Sequence, residues 1–541
     1  MTTEVERNKK RAYQARKKGD WQKSIALLKK VVKADPDDHT LIMDLADSYM
    51  QVEEFDAAVG MYAELFQRDS SNPIYASNLG AALLRQGKVN EAKVLLEHCL
   101  ELDKTNIYAL INLGGVYQAL GDPMAALNSA LEAVSIDPSN AIAFNNLGSA
   151  FSDLAKYQEA KHAFETALLL KPGQVDALIN IAGCDAKLND HQSSIKNYEK
   201  VLDLLPKEAV QRADSVRFFA SFQYLQAGDL KTGWKYYDGG FSPLVPLAGA
   251  RTPKRKFSFP VWDGSDLNGK TIFLWREQGI GDEILFSSCI PDLVSQYPGS
   301  SVYFECEARL QHIFSQSIKG IQILNQDLKS PQQFDYHLPI GSLMKFFRED
   351  IYSFNGKGSF LKPDELLKQN FKSRLAPYSA KKAIGICWRS GLISPTRNIN
   401  YTAIKDWEFL KEIKQNYVFV NLQYGDCEEE LAEIEKNWEV EIIRWKDVDL
   451  KNHMDEVFAL VSNLDAVVTV GTSVSAISGS LGVPTVYLAK KGWLFFGQDK
   501  FPWFDNFHPL IPQEDEIVAT QLSRVPMALE QALAENSIAK D

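Results

Sequence analysis

Asn-Leu-Gly recurs at Asn78-Leu79-Gly80, Asn112-Leu113-Gly114 and Asn146-Leu147-Gly148, with a weaker copy at Asn180-Ile181-Ala182, each step being 34 residues. No other feature of the chain limits its fold so tightly. A unit of that length cannot bury its apolar face alone, so successive copies must stack and share a core. Between the copies runs a second helical pattern carrying one small residue at a fixed place: Ala58, Ala92, Ala126, Ala160 and Ser194. Small side chains there let two helices approach closely, while Tyr49, Tyr117 and Phe151 fill the gaps between neighbours. Prolines at 36, 138, 172 and 206 close the units.

This pattern resembles the tetratricopeptide repeat, and about six units fit residues 5 to 208, the first of them degenerate. The expected fold of residues 1–208 is therefore an α-solenoid whose groove holds a protein partner. Asn78, Asn112, Asn146 and Asn180 occupy one position of the first helix and would form a ladder. A carboxamide both donates and accepts hydrogen bonds, so such a ladder suits peptide main chain of any sequence. It resembles the ladder in the repeat lumen of the nucleocytoplasmic O-GlcNAc transferases. The plainer reading has these asparagines bridging neighbouring helices.

At 541 residues the chain is too long for one core. A formal net charge of −11 argues against general affinity for nucleic acid or anionic lipid. The polar N-terminus lacks a signal-peptide core, and no stretch has the length and apolarity of a membrane span, so a cytoplasmic location is expected. Six cysteines without a CxxC pair read as reduced, buried thiols and leave no zinc site. Residues 209–270 read as bridging helices and then a Pro-, Gly- and Lys/Arg-rich linker, with Lys254-Arg255-Lys256 as solvated linker charge rather than a nuclear signal.

From Thr271 short apolar strands alternate with helices in two series, 271–380 and 381–515. That grammar predicts parallel sheets covered on both faces, in two Rossmann-like domains facing a cleft. The first strand, TIFLW, runs into EQGIGDE, which lacks the third glycine of a dinucleotide fingerprint but supplies a carboxylate, Asp282, where open α/β sheets place ligands. Glu277, Gln278, Gly279 and Gly281 of that turn are candidates for the acceptor side, and His337, in FDYHLPIGS, is a second candidate base. The second series holds two anion seats. One is WRSGLISPTRN, with Arg389, Ser390, Gly391 and Arg397; the other is the helix start Gly471-Thr472-Ser473 after VVTV. N-capping by Thr472 or Ser473 is the alternative for the latter, with the small residues that follow serving helix packing. The Asp-Val-Asp triplet at 447–449 carries little weight as a metal motif.

EQGIGDEILFSSCIPDL, AIGICWRSG, FVNLQYGD, LDAVVTVGTSVSAISGSLGVPTVYL and KFPWFD, in that order, resemble the heptosyltransferase-like glycosyltransferases of family 9, especially those fused to tetratricopeptide repeats. The resemblance implies a GT-B fold with an acceptor domain, a nucleotide-sugar domain and a C-terminal helix crossing back within 516–541. It implies Asp282 as general base in an inverting, metal-independent transfer. Arg389, Ser390, Gly391, Arg397, Gln423, Gly471, Thr472 and Ser473 would hold the donor. Some such fusions resemble bacterial flagellin glycosyltransferases, which makes a polypeptide such as flagellin the expected acceptor. No cofactor is implied beyond the nucleotide sugar.

One departure stands in the phosphate helix. Family members commonly carry Asp before the Thr and His four residues after it, where this chain has Gly471 and Ala476. The donor is thereby left open among UDP, GDP and ADP sugars and a CMP-activated nonulosonic acid. A transferase for lipopolysaccharide or capsule, with repeats for complex assembly, is the second reading. A scaffold with a degenerate transferase domain is the third.

Overall fold

The computed structural model describes residues 2–247, 249–324, 333–354, 359–391, 400–513 and 516–540, with side chains from residue 4 to residue 536. The chain divides into two compact units, Met1–Leu205 and Pro206–Asp541.

In the first unit, twelve helices among the described residues form six pairs: Thr2–Lys17 with Trp21–Ala34, His39–Gln51 with Phe55–Arg68, Pro73–Gln86 with Val89–Leu102, Ile107–Ala119 with Pro123–Ile136, Ala141–Asp153 with Tyr157–Leu170, and Val175–Lys187 with His191–Leu204. Asp38, Asn72, Asn106 and Asn140 stand before the first helices of their pairs and accept from those helices' free amides. The repeated small residues are buried at the helix crossing, Ala58, Ala92 and Ala160 completely. The repeated glycine has the same cause: a methyl on Gly80 would stand 2.7 Å from Leu96, and one on Gly148 2.7 Å from Phe164. This unit is an α-solenoid of tetratricopeptide helices.

The second unit holds two parallel sheets. Strands β1 (Thr271–Trp275), β2 (Ser301–Glu305), β3 (Ile321–Leu324) and β4 (Tyr336–Pro339) form the first, in order β3-β2-β1-β4. Strands β5 (Lys382–Cys387), β6 (Tyr417–Asn421), β7 (Ile442–Ile443), β8 (Ala466–Val470), β9 (Thr485–Leu488) and β10 (Phe507–Leu510) form the second, in order β10-β9-β8-β5-β6-β7. Every pairing is parallel. β6, β8 and β9 are buried along their whole length, which is why they read as unbroken apolar runs. In each sheet the strand order reverses beside the first strand, between β1 and β4 and between β5 and β8. Such a reversal opens a crevice at the carboxyl ends of the strands.

Two expectations are corrected. The segment before β1 is packed rather than a free linker, although Lys254 and Lys256 are exposed as expected: Arg251 is 0% and Trp262 1% exposed, and Val245, Ala250 and Leu267 join the core. Lys254 donates to the Ser242 carbonyl at 2.6 Å, Arg255 pairs with Glu305 at 2.8 Å, and Val261 bridges to His337 of β4. Its apolar residues cover the first sheet, and Arg251, Lys254 and Arg255 tie it down. The C-terminal helix Val525–Lys540 does not cross back. Its stripe Val525, Leu529 and Leu533 packs with Val486, Leu488 and Leu510 of the second sheet, at the spacing of one helix face. An aromatic group joins the two halves instead: Trp234 of helix Leu230–Tyr237 stands 6.0 Å from Trp493, 5.8 Å from Phe496 and 6.5 Å from Trp503, ring to ring.

Candidate functional site

A cavity of about 600 Å³ lies at the carboxyl ends of both sheets. The first sheet contributes Gly279 to Asp282, just beyond β1, and the second contributes Ser390 and Gly391 after β5, Tyr424 and Gly425 after β6, and Gly471 to Ser473 after β8. Two helix starts meet there, those of Ile280–Ser287 and Ser473–Ser480. They come so close that a methyl on Gly281 would stand 3.7 Å from the Ser473 Cα.

Asp282 is the third residue of its helix, and its Oδ2 accepts from the Gly279 amide at 3.3 Å. Loss of water around the carboxyl pushes it up to about 6, with the nearby Glu277 charge adding to the rise and the Gly279 amide opposing it. The carboxylate form is therefore the major one at neutral pH.

The facing helix start is uncapped. Thr472 is extended, and its side chain accepts from none of the helix amides. Its hydroxyl lies instead 3.4 Å from Thr469 Oγ1 and 3.6 Å from Cys387 Sγ, while Ser475 donates its hydroxyl to the Thr472 carbonyl at 2.7 Å. The positive end of this helix thus faces the cavity with no side-chain cap from Thr472. Further along, Ser478, Gly479 and Ser480 are buried, and Gly479 has no room for a side chain beneath the Phe504 ring. The stretch is a packed helix with an open N-terminus, and N-capping by Thr472 does not occur.

Two cations in the cavity wall were not singled out from sequence. Arg309 donates from Nε to Glu307 at 3.0 Å and from Nη1 to the Lys451 carbonyl at 2.7 Å, and Lys451 lines the cavity beside it. Arg276 braces Glu307 at 2.7 Å. Arg309 follows β2 closely, so the strand-end rule that selects Asp282 also reaches it. Lys451 sits in a turn before helix Met454–Val461 and carries no comparable signal. Leu450, Met454, Leu494, Phe501 and Phe504 supply the apolar part of the wall.

Other candidates stand elsewhere. Arg389 does not line the cavity, because its guanidinium is held by Glu430 Oε1 and the Asp426 carbonyl, both at 2.8 Å. Gln423 backs the wall: its Oε1 accepts from the Trp388 and Arg389 amides at 3.2 and 3.0 Å. Glu277 is fully buried against Arg251, and Gln278 is not in the lining. His337 lies within β4, where its Nδ1 accepts from the Trp275 indole at 3.2 Å and burial lowers its basicity, away from the cavity wall. Arg397 lies outside the described residues. Within the first unit, Asn146 donates to the Ile111 carbonyl at 3.0 Å and Asn180 to Asn145 at 3.3 Å, so two rungs of the ladder bridge neighbouring repeats. Asn78 and Asn112 are half-buried, and their side chains find no hydrogen-bond partner among the described residues.

A larger hollow of about 1010 Å³ runs along β7, but its charges satisfy one another: Arg444 pairs with Glu428 and Glu435, and Asp447 with Arg374. Asp449 caps the turn at Lys451 and Asn452, so both carboxylates of the Asp-Val-Asp triplet have local partners. Among the described residues no group of three or more His, Cys, Asp or Glu is placed to hold a metal ion, and no helix is long and apolar enough to cross a membrane.

The tetratricopeptide repeat families match residues 15–82, 75–102, 107–140 and 141–174. Protein FlbA of Caulobacter vibrioides is 27% identical over 321 residues, covering 56% of this chain and 53% of FlbA. The chain thus spans about half the length of that curated relative. Among solved structures, MamA is 26% identical over 30% of this chain and 94% of its own, with a TM-score of 0.26. A thermophilic tetratricopeptide protein of Thermus thermophilus, TTC0263, is 18% identical over 33% of this chain and 98% of its own, with a TM-score of 0.31. The N-terminal unit is thus a tetratricopeptide-repeat array, joined to a parallel-sheet unit in a chain similar to FlbA.

Proposed function

We propose that the chain is a GT-B glycosyltransferase that moves a sugar, with inversion, from a nucleotide sugar to hydroxyls of a polypeptide held by the repeats. The observation that carries this reading is the meeting of two helix starts in one cavity, one bearing a carboxylate and the other bearing open amides. In the reaction Asp282 takes the proton of an acceptor hydroxyl. The oxygen bonds to the anomeric carbon as the bond from that carbon to the phosphate oxygen breaks, and the electron pair leaves with the nucleotide. The growing phosphate charge falls to the Gly471–Ser473 helix start, Arg309 and Lys451. The resemblance to repeat-fused family 9 enzymes supports flagellin as the acceptor class and the cytoplasm as the place of action.

Thermal-shift screening against CMP, UDP, GDP and ADP identifies the nucleotide, and intact-mass spectrometry of a polypeptide acceptor then measures transfer. Asp282→Asn is expected to lower the rate by roughly a thousandfold. The wild-type rate should fall as the pH drops below about 6, where the carboxylate takes up its proton. Transfer to glycan and to no polypeptide overturns the acceptor, and full turnover by Asp282→Asn overturns the base.

A further inference from the structure

We propose that Arg251 and Glu277 are positioning residues for Asp282, so that the segment preceding β1 belongs to the catalytic machinery; this rests on the reading of Asp282 as base. Glu277 lies two residues beyond β1 and is 0% exposed. Its Oε2 accepts from Arg251 Nε at 2.6 Å, and its Oε1 accepts from Arg251 Nη2 and from the Gly341 amide at 2.7 Å. A methyl on Gly341 would stand 2.6 Å from that same Oε1, so only glycine lets the backbone after β4 reach the carboxylate. Arg251, also 0% exposed, donates from Nη1 to Asp238 at 2.9 Å and from Nη2 to Ser342 at 3.1 Å, and lies over the rings of Tyr237 and Phe241. Lys345 closes the group on Asp238 at 2.8 Å, leaving two cations and two carboxylates in balance.

The turn itself shows what this group restrains. Gln278 has a φ of 61°, a left-handed conformation that side-chain-bearing residues seldom adopt. Its amide donates to the Thr252 carbonyl at 2.9 Å. Residues 277 and 278 are thus tied to 251 and 252, and the next amide, that of Gly279, donates to Asp282. Releasing these ties lets Gln278 relax to an extended conformation and swings the start of the helix that carries the carboxylate. Among the described residues, the charged and titratable groups around Asp282 are Glu277 with Arg251, Tyr237 of the preceding helix, and Arg309, Lys451, Tyr401, Tyr424 and Tyr487 of the cavity wall, while helix Ser473–Ser480 brings none.

The test uses the full chain with the donor and acceptor of the transfer assay. Glu277→Gln is expected to lower kcat by about 100-fold with the donor KM changed by less than about twofold. It should move the acid limb of kcat to lower pH, because a negative charge near Asp282 is gone and Arg251 stands uncompensated; a purely structural strut leaves that limb in place. Hydrogen exchange at the amides of residues 278–282 should quicken. Should Glu277→Gln fail to fold, Arg251→Met/Glu277→Gln removes both buried charges together and is expected to fold with the same loss of kcat. Either variant, melting cooperatively and showing wild-type kcat with an unmoved acid limb, overturns the proposal, as does failure of the double variant to fold. Asp282→Asn, measured in parallel, separates the two readings. Turnover there refutes the base itself, whereas an inactive Asp282→Asn beside a fully active Glu277→Gln refutes only the positioning role.

Discussion

Asp282 and Glu283 are neighbours on one helix with different surroundings. Asp282 borders the cavity, while Glu283 is 0% exposed and pushed up to about 8 by burial, against the downward pull of the Glu307 amide and Arg276. A carboxyl raised in the folded state favours folding below its ordinary range, and that contribution is lost as the pH climbs through about 8. Glu283→Gln should therefore melt at least about 3 °C above wild type at pH 9 and lose that advantage near pH 5; melting curves that stay parallel across this range refute it. The same distinction explains what single residues disclose in sequence. Asp282, Gly471, Thr472 and Ser473 are legible because a strand, a glycine and a helix start are local events. Glu277 and Arg389 read as wall residues from the same grammar, but partners 26 and 41 residues away, Arg251 and Glu430, turn their side chains elsewhere. Nothing in their own neighbourhoods announces those partners.

For elements, the telling case is helix Ser473–Ser480, which begins without a side-chain cap. Thr472→Asp would place a carboxylate over the helix-start amides, giving about 1 kcal/mol of added stability and filling the proposed phosphate seat. The variant is expected to melt higher than wild type and to lose the thermal shift given by the nucleotide. A retained shift would show that the phosphate sits elsewhere. The strands were readable as apolar runs because both faces of each sheet are covered. The C-terminal helix was readable as a helix, but its destination was not: one apolar stripe fits either sheet, and only the packing of Val525, Leu529 and Leu533 selects the second. The segment before β1 misled through its prolines and basic residues, since two of the latter, Arg251 and Arg255, pair with the buried Glu277 and Glu305.

The two units carry separate hydrophobic clusters, which predicts that residues 206–541 fold alone. On the proposed function, that fragment should bind the nucleotide as the full chain does and fail to bind the polypeptide acceptor; loss of nucleotide binding by a folded fragment refutes the division of labour. The repeats were the most legible part of the molecule, since a period of 34 residues leaves one way to stack, whereas the meeting of residues 279–282 with residues 471–473 depends on contacts far apart in sequence. Trp234, Trp493 and Trp503 bear on how such a cavity is watched. Trp234 meets the other two at interplanar angles of 80° and 86°. Indoles this close and this steeply inclined share their electronic excitations, so the chain carries an optical strain gauge at the joint between its sheets. A nucleotide that closes the cavity by rotating one half against the other should change the near-ultraviolet circular dichroism with no label attached.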